Sequence, residues 1–355
     1  MAYTAIDDPS AYFHTQLFTG TGSELSVTNG ANAGDFKPDW IWIKQRNAST
    51  DHGMWDSNRG VTKNLKTNKS DAESTEAQSV KTFNTDGFTL GTSGDYNGSS
   101  DTHVAWQWIA NGGTTTTNDA SSTGVGSIDS VYQINSTSKF SIVTYTGNGS
   151  SGASFAHGLG VAPDLVILKN RDSARSWFVG HHKIGFNFIT GHLNSNDDKD
   201  EDSVYWNNTA PSSTVVTLGN NEGGNENGDN FVAYCFTEVQ GYSKFGSYTG
   251  NANTDGPFVY TGFKPEFLII KRTDSANSWY LVDGTRGSSN VISAENEANT
   301  TGAEATSNVR LDILSNGYKI RTSGAAYNAS GGTYVYIAFA KSPFVSSKGV
   351  PTTAR

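Results

Sequence analysis

A seven-residue motif recurs three times in this chain, as PDWIWIK, PDLVILK and PEFLIIK, starting at Pro38, Pro163 and Pro265. In each copy a lysine follows the proline by six positions and a glycine by 22, without a gap. Related stretches lie upstream (FTGTGS, YTGNGS, YTGNAN) and downstream (HVAWQW, FVAYCF, YVYIAF). A repeat of about a hundred residues is long enough to form a small domain, so we expect three homologous modules.

The repeat divides the chain into five parts. The linker is rich in Thr, Ser and Gly, which predicts a flexible or loosely packed segment in which SIDSVYQI adds one short strand. The parts are an N-terminal arm (1–17), repeat 1 (18–113), the linker (114–139), repeat 2 (140–242) and repeat 3 (243–355).

The repeated block has the pattern of β-structure. Proline is tolerated as the first residue of a strand, and the runs WIWI, LVIL and FLII require cover on both faces, which is typical of a central strand. We expect the lysine to end this strand at the surface, and the segments after the Asp- and Ser-rich turn to return as a partner strand. The predicted fold is all-β, with three tandem, homologous, jelly-roll-like β-sandwich modules.

Composition agrees with short strands and tight turns. The chain has 39 glycines and an aromatic fraction of 12%, and no apolar helical periodicity extends beyond about three turns. Only 290–305 suggests a helix, and its Asn and Thr residues oppose one.

Charge, cysteine content and hydropathy argue against several classes of protein. A net charge of −9 makes nucleic acid an unfavourable partner. The single cysteine, Cys235, lies in the apolar run FVAYCF, so we expect a buried, inert thiol and no intrachain disulfide. No apolar run is long enough to insert into a membrane, and the N-terminal residues lack the pattern of a secretory signal, which indicates folding in a cytoplasm.

Catalytic, cofactor and metal fingerprints are not found in the sequence, so we predict no enzymatic activity, no cofactor and no metal site. His181, His182 and His192 are close in sequence, but neighbours on a strand point to opposite faces, which favours a solvated rim. The acidic run at 196–202 lacks the ligand spacing of an EF-hand loop; a solvated loop is favoured over a calcium site, which stays open.

Two acid–base pairs and three aromatic residues are the candidate contact residues. Asp56 with Arg59, and Asp283 with Arg286, are predicted to stabilise a turn; a ligand clamp or subunit contact is the alternative. Repeat 2 has His181 and Ile184 at the corresponding positions, so any role of the pair is in doubt there. The aromatic residues adjoin turn signals, where they either stack on sugar rings or cap the sandwich ends: Trp55, Tyr96 and Trp206.

Repeat 1 combines FTGTG, FKPDWIWIKQR, DHGMWDSNRG, DGFTLG and HVAWQWIANGG, and the chain opens with MAYTAIDD. This combination resembles a repeat module of marine bacteriophage virion structural and tail-fibre-like proteins, over most of the chain. The resemblance implies a virion location after assembly in the host cytoplasm, with other virion proteins as partners. It also implies a homo-oligomer, for which a trimer is favoured.

Three functions remain on this reading. The favoured one is a non-enzymatic tail-fibre or baseplate-associated protein that takes part in attachment to the host surface, with a host glycan as a possible ligand. The alternatives are a capsid decoration protein that stabilises the head, and a carbohydrate-binding lectin or glycan depolymerase. An all-β fold is compatible with all three, so the fold alone does not decide.

Overall fold

The computed structural model describes residues 3–30, 34–287 and 289–352. Strands account for 39% of the structure and helices for 7%, so the predicted all-β class is confirmed. No helix within the described residues has the length and apolar character needed to cross a bilayer.

Repeat 1 and the end of the N-terminal arm together form three antiparallel sheets, after a 3-10 turn at Pro9–Ala11. The first strand, Phe13–Thr19, begins in the arm, so the arm is part of the large sheet. The large sheet has the order β1-β9-β3-β4, a small sheet has the order β2-β8-β7, and β5 pairs with β6. The elements are β1 (Phe13–Thr19), β2 (Leu25–Val27), β3 (Trp40–Gln45), β4 (Gly53–Asp56), β5 (Lys63–Asn64), β6 (Ser74–Thr75), β7 (Val80–Phe83), β8 (Phe88–Leu90), α1 (Gly94–Asn97) and β9 (Thr102–Trp108).

The linker and repeat 2 together form a six-stranded sheet of order β10-β11-β12-β19-β14-β15, with the pairs β13-β18 and β16-β17 beside it. The linker is therefore more ordered than predicted, and SIDSVYQI contains the expected strand. The elements are β10 (Thr116–Asn118), α2 (Ala120–Thr123), β11 (Ser130–Asn135), β12 (Phe140–Thr146), β13 (Ser154–Ala156), β14 (Leu165–Asn170), β15 (Phe178–His181), β16 (Phe188–Ile189), β17 (Asp200–Glu201), α3 (Ser203–Trp206), β18 (Val215–Thr217), α4 (Glu222–Asn225) and β19 (Asn230–Phe236).

Repeat 3 has a large sheet of order β20-β27-β22-β23-β24 and a small sheet of order β21-β26-β25. The helix suggested for 290–305 is wrong, because that segment contains β24 and turns. The elements are β20 (Ser243–Thr249), β21 (Phe258–Tyr260), β22 (Phe263–Arg272), β23 (Trp279–Asp283), β24 (Asn296–Glu297), β25 (Leu311–Leu314), β26 (Gly317–Ile320), α5 (Ala325–Asn328) and β27 (Thr333–Pro343).

One order of four strands recurs in the large sheets: β1-β9-β3-β4, β12-β19-β14-β15 and β20-β27-β22-β23. The strand that holds the repeated apolar run is interior each time, as its apolar pattern predicts. In repeat 3 this strand begins at Phe263, so Pro265 lies inside it, at a register shift, and is not its first residue. Alternation along β3 sends Trp40 and Trp42 to one face and Ile41 and Ile43 to the other, and all four are at most 2% exposed.

Two kinds of core result from this burial on both faces. On one face, each large sheet packs against the small sheets and loops of its own repeat, as Ile41 packs with Phe88 and Leu90. On the other face, the three large sheets meet in one cluster, which we call the shared core. Its aromatic side chains are Phe13, Trp40, Trp42, Trp106, Trp108, Phe140, Trp177, Tyr234, Phe236, Tyr242, Phe245, Phe267, Trp279 and Phe339. The three repeats therefore share one hydrophobic core and are not separate domains arranged in a row.

Candidate functional site: the junctions between repeats

The three candidate sugar-stacking aromatics, Trp55, Tyr96 and Trp206, are buried, with 0% exposure each. The Trp55 and Tyr96 rings meet edge to face at 4.9 Å, and Trp206 meets Phe186 in the same way at 5.6 Å. Trp55 lies on β4, Tyr96 on α1 and Trp206 on α3, and each side chain packs into the hydrophobic core of its own repeat rather than at the surface. These rings offer no surface on which a sugar could stack.

The two Asp–Arg pairs form buried turns. The Asp56 carboxylate accepts hydrogen bonds from the backbone N–H groups of Asn58 and Arg59, at 3.1 and 2.9 Å, and pairs with the Arg59 guanidinium. Asp283 pairs with Arg286 in the same way, and all four side chains are 0% exposed. A charge-assisted bond within a turn is the interpretation favoured by the sequence, and the geometry agrees with it.

Each aspartate also accepts a hydrogen bond from a different repeat. The Tyr234 hydroxyl of repeat 2 donates to Asp56 Oδ2 at 2.7 Å, and Trp106 Nε1 of repeat 1 donates to Asp283 Oδ2 at 3.0 Å. Tyr234 and Trp106 occupy the same position in β19 and β9. We call the two contact regions the 1–2 junction and the 3–1 junction, and the third region, where repeats 2 and 3 meet, the 2–3 junction.

The 2–3 junction replaces both partners of this hydrogen bond. His181 stands at the aspartate position, and Ile337 stands at the position of the tyrosine or tryptophan donor. The His181 ring instead lies 3.3 Å from the Tyr336 carbonyl through Nε2, and its Nδ1 accepts from the Lys183 N–H at 3.2 Å. Burial lowers the pKa of His181 to about 3, so the ring is neutral at pH 7.

The repeated lysines are buried, which contradicts the prediction that they end the strand at the surface: Lys44, Lys169 and Lys271 are each 0% exposed. Each ammonium donates to a backbone carbonyl of another repeat, at 3.1 to 3.2 Å. The acceptors are Thr301 in repeat 3, Ser70 in repeat 1 and Asn196 in repeat 2. Burial lowers the pKa of these lysines to about 8, 7 and 8 respectively.

The His or Trp side chain that follows each lysine by eight positions makes a second contact with the same neighbouring repeat. His52 Nε2 lies 3.1 Å from the Glu297 carbonyl, while Trp177 Nε1 donates to Lys66 O and Trp279 Nε1 to His192 O, both at 3.0 Å. Repeat 1 thus reaches into repeat 3, repeat 3 into repeat 2, and repeat 2 into repeat 1. The junctions close into a ring around the shared core.

An ion network reinforces the 1–2 junction. Glu73 binds Arg59 of its own repeat at 2.9 Å and Arg171 of repeat 2 at 3.0 Å. Its backbone N–H also donates to the Arg171 carbonyl at 2.7 Å. Because both carboxylate oxygens have cationic partners, this partly buried charge is compensated.

The 3–1 junction has the same network, and the 2–3 junction does not. Glu304 binds Arg286 at 3.1 Å and Arg46 of repeat 1 at 2.9 Å. The corresponding backbone bond at the 2–3 junction joins the Lys199 N–H to the Thr273 carbonyl at 3.3 Å, so neither the acid nor its arginine partner is present there. The residues that replace the acid and the arginine therefore come from both repeats that meet at the 2–3 junction, and not from a single repeat.

The remaining polar candidates have internal partners. Within the described residues, no three His, Cys, Asp or Glu side chains are grouped so as to hold a metal ion. The Asp200 carboxylate of the acidic run accepts a hydrogen bond from the Tyr205 hydroxyl at 2.7 Å. Cys235 is buried as predicted, and burial raises the pKa of its thiol, which stays protonated.

These features define an all-β protein in which three related sheets close on one aromatic core. The chain belongs to a family described as a domain of unknown function (DUF7483), whose model matches residues 8–343. That match spans all three repeats as one unit. No curated protein matches the chain, and no solved structure matches it.

Proposed function

We propose that this chain is a virion structural protein, a non-enzymatic tail-fibre or baseplate-associated component that takes part in attachment to the host surface. We further propose that it consists of three homologous β-sandwich modules that arose by repetition. The proposal combines the resemblance of the repeat to phage structural modules with one structural observation, the closed ring of junctions around the shared core.

The ring gives the chain the form of a trimer made from one polypeptide. Symmetric phage appendages are built around rotational axes, and a body of three related sheets fits a threefold position without needing two further copies. In this proposal the trimer that the resemblance implies is supplied within the chain, and contacts with other virion proteins form on the outer faces of the repeats.

A capsid decoration protein is the second candidate, because the same pseudo-threefold body also fits a threefold position of a head lattice. The lectin or depolymerase alternative loses the three residues that suggested it, because the rings of Trp55, Tyr96 and Trp206 are buried.

Immunogold labelling of intact particles that carry this protein tests the proposal. We expect label at the tail or baseplate. Label over the head would instead favour decoration, and a chain absent from purified particles would overturn both candidates. Incubating the pure protein with host polysaccharide and measuring reducing ends tests the non-enzymatic part, which any turnover would refute.

A further inference from the structure

Two aromatic side chains differ from all others among the described residues. Phe258 is 45% exposed and Tyr260 is 54% exposed, while every other described Phe, Tyr or Trp is buried or half-buried. Exposing large apolar rings is unfavourable, so an adjacent exposed pair marks a surface that has a use outside the fold.

Both rings lie on the outer face of one strand. β21 is the edge strand of its small sheet, and alternation turns Val259 inward, where it is 6% exposed, and turns Phe258 and Tyr260 outward. Residues two apart on a strand are about 7 Å apart, so the rings are neighbours. Gly317 lies opposite Tyr260, and a Cβ there would come within 3.1 Å of the Phe258 ring. The two side chains and this glycine form a continuous strip, which we call the aromatic strip.

The other repeats show that the small sheet does not need aromatic residues on this face. The corresponding strands are β2 and β13, where Ser26 is exposed and Ser154 is half-buried. Their inward residues Val27 and Phe155 are buried, as Val259 is. The aromatic strip is therefore a feature of repeat 3 alone and serves no packing role common to the repeats.

Polar and charged groups lie around the strip. Lys319 stands opposite Phe258 in the register and pairs with Asp255 at 2.8 Å, and the Asp255 side chain is 81% exposed. The Tyr260 hydroxyl lies 3.2 Å from the Tyr3 hydroxyl, which donates to the Gly262 carbonyl. Carboxylate, ammonium and phenol groups at the edge of an apolar strip can bond the hydroxyl groups of a ligand.

The size of the strip argues against a protein partner. Two half-exposed rings offer about 200 Å² of apolar surface, whereas a stable protein interface buries about 800 Å² on each side. A pyranose ring is a better match, since one of its faces carries C–H groups that pack on the negative face of an aromatic ring. The net charge of −9 repels acidic polysaccharides, so the matching ligand is neutral.

We propose that the aromatic strip binds adjacent sugar residues of a neutral glycan, with Phe258 and Tyr260 as the stacking residues. This inference rests on the proposed attachment function and gives it a ligand class and a location on the outer face of repeat 3.

Saturation-transfer NMR on the full chain, with maltohexaose and cellohexaose as probes, tests the proposal. The test variant is F258S/Y260S, which replaces both rings with small polar side chains; serine is the residue that β2 and β13 carry at the position of Phe258. The control is V309S, which removes an apolar side chain that is 51% exposed elsewhere. We expect transfer to the sugar C–H protons in the wild type and in V309S, and binding at least about tenfold weaker in F258S/Y260S at unchanged Tm.

Two results would overturn the proposal: no transfer to either probe, or equal binding by F258S/Y260S and the wild type. Sedimentation of the same proteins adds a third, because a dimer lost only in F258S/Y260S would make a second copy of the chain the occupant. The location of the chain in the particle is measured separately. A tail location without glycan binding would remove this site only, and glycan binding by a chain absent from particles would remove only the attachment function.

Discussion

The contribution of the hydrogen bond across the 3–1 junction can be tested by replacing each of two nearby tryptophans. Trp106 and Trp108 both lie in β9, both face the shared core and both are at most 1% exposed. Trp106 Nε1 donates to Asp283 Oδ2 at 3.0 Å, whereas Trp108 Nε1 has no partner. Replacing either residue with phenylalanine removes a similar volume, so the packing costs largely cancel in the comparison.

What differs most is the hydrogen bond to a buried carboxylate. The Trp106 ring also lies 5.1 Å from the Arg286 guanidinium, a cation–π contact that a phenylalanine ring keeps in part. Its loss in W106F leaves Asp283 Oδ2 with Arg286 alone, which costs about 1.5–3 kcal/mol for a bond to a charged group. In W108F an unsatisfied donor disappears, which offsets part of the packing cost. We expect W106F to lower the free energy of unfolding by about 1.5–3 kcal/mol more than W108F.

Urea unfolding of both variants, followed by far-UV circular dichroism, measures this difference, provided that the m-value is unchanged. Equal destabilisation would show that the bond across the 3–1 junction contributes nothing. The double-mutant cycle of W106F with D283N then isolates the pair, and a coupling energy near zero would refute its role.

Three further predictions concern other parts of the molecule. E304Q should lower the free energy of unfolding by about 2 kcal/mol because two arginines lose their carboxylate, whereas E24Q, on an exposed ion pair, should change it by about 0.5 kcal/mol or less; urea midpoints decide. Burial opposes the ionisation of Glu238, but the His182 ring 3.7 Å away and hydrogen bonds from the Lys244 ammonium and the Phe245 N–H outweigh it and lower the pKa to about 2. This side chain therefore stabilises the fold above pH 4.5, and the contribution is lost as the pH falls from 4.5 towards 2. In E238Q the fall of Tm over that window should be shallower, and an unchanged profile would refute this assignment. G53A should destabilise the chain by about 1–3 kcal/mol, since its Cβ would lie 2.3 Å from the Trp55 ring. G94A is the control and should leave the stability unchanged, because the space around that position is open. Similar thermal midpoints for the two variants would contradict this prediction.

Much of the fold could be predicted from local pattern. The run from Trp40 to Ile43 requires cover on both faces, and its strand is interior to a sheet. The pattern does not say what provides that cover. On the Ile41 face the cover comes from the same repeat, and on the Trp40 face it comes from the other two, because the shared core depends on contacts between residues more than a hundred positions apart.

The candidate site was harder to predict for the same reason. Trp206 adjoins turn residues, and a loop position was a reasonable expectation. In the fold, Asp202 caps the one-turn helix α3 and the helix directs Trp206 inward. A lysine after four apolar residues, as at Lys44, ordinarily marks a surface. Here its ammonium is enclosed by two carbonyl groups of its own repeat and by the Thr301 carbonyl of repeat 3.

One signal in the sequence did point to the junctions. The aspartate position becomes His181 in repeat 2, and the aromatic donor position becomes Ile337 in repeat 3. These two changes look unrelated along the chain. They meet at the 2–3 junction, so paired replacements in different repeats are a signal of which repeats touch, and only the first of the two was recognised from the sequence alone.

Small-angle X-ray scattering in solution tests most directly the claim that three repeats close into one body. A compact 355-residue chain should have a radius of gyration of about 20 Å. Three separate domains of about 100 residues in a row would give about 28 Å or more. A value near 20 Å is what the closed ring predicts, and a value near 28 Å in dilute solution would contradict it.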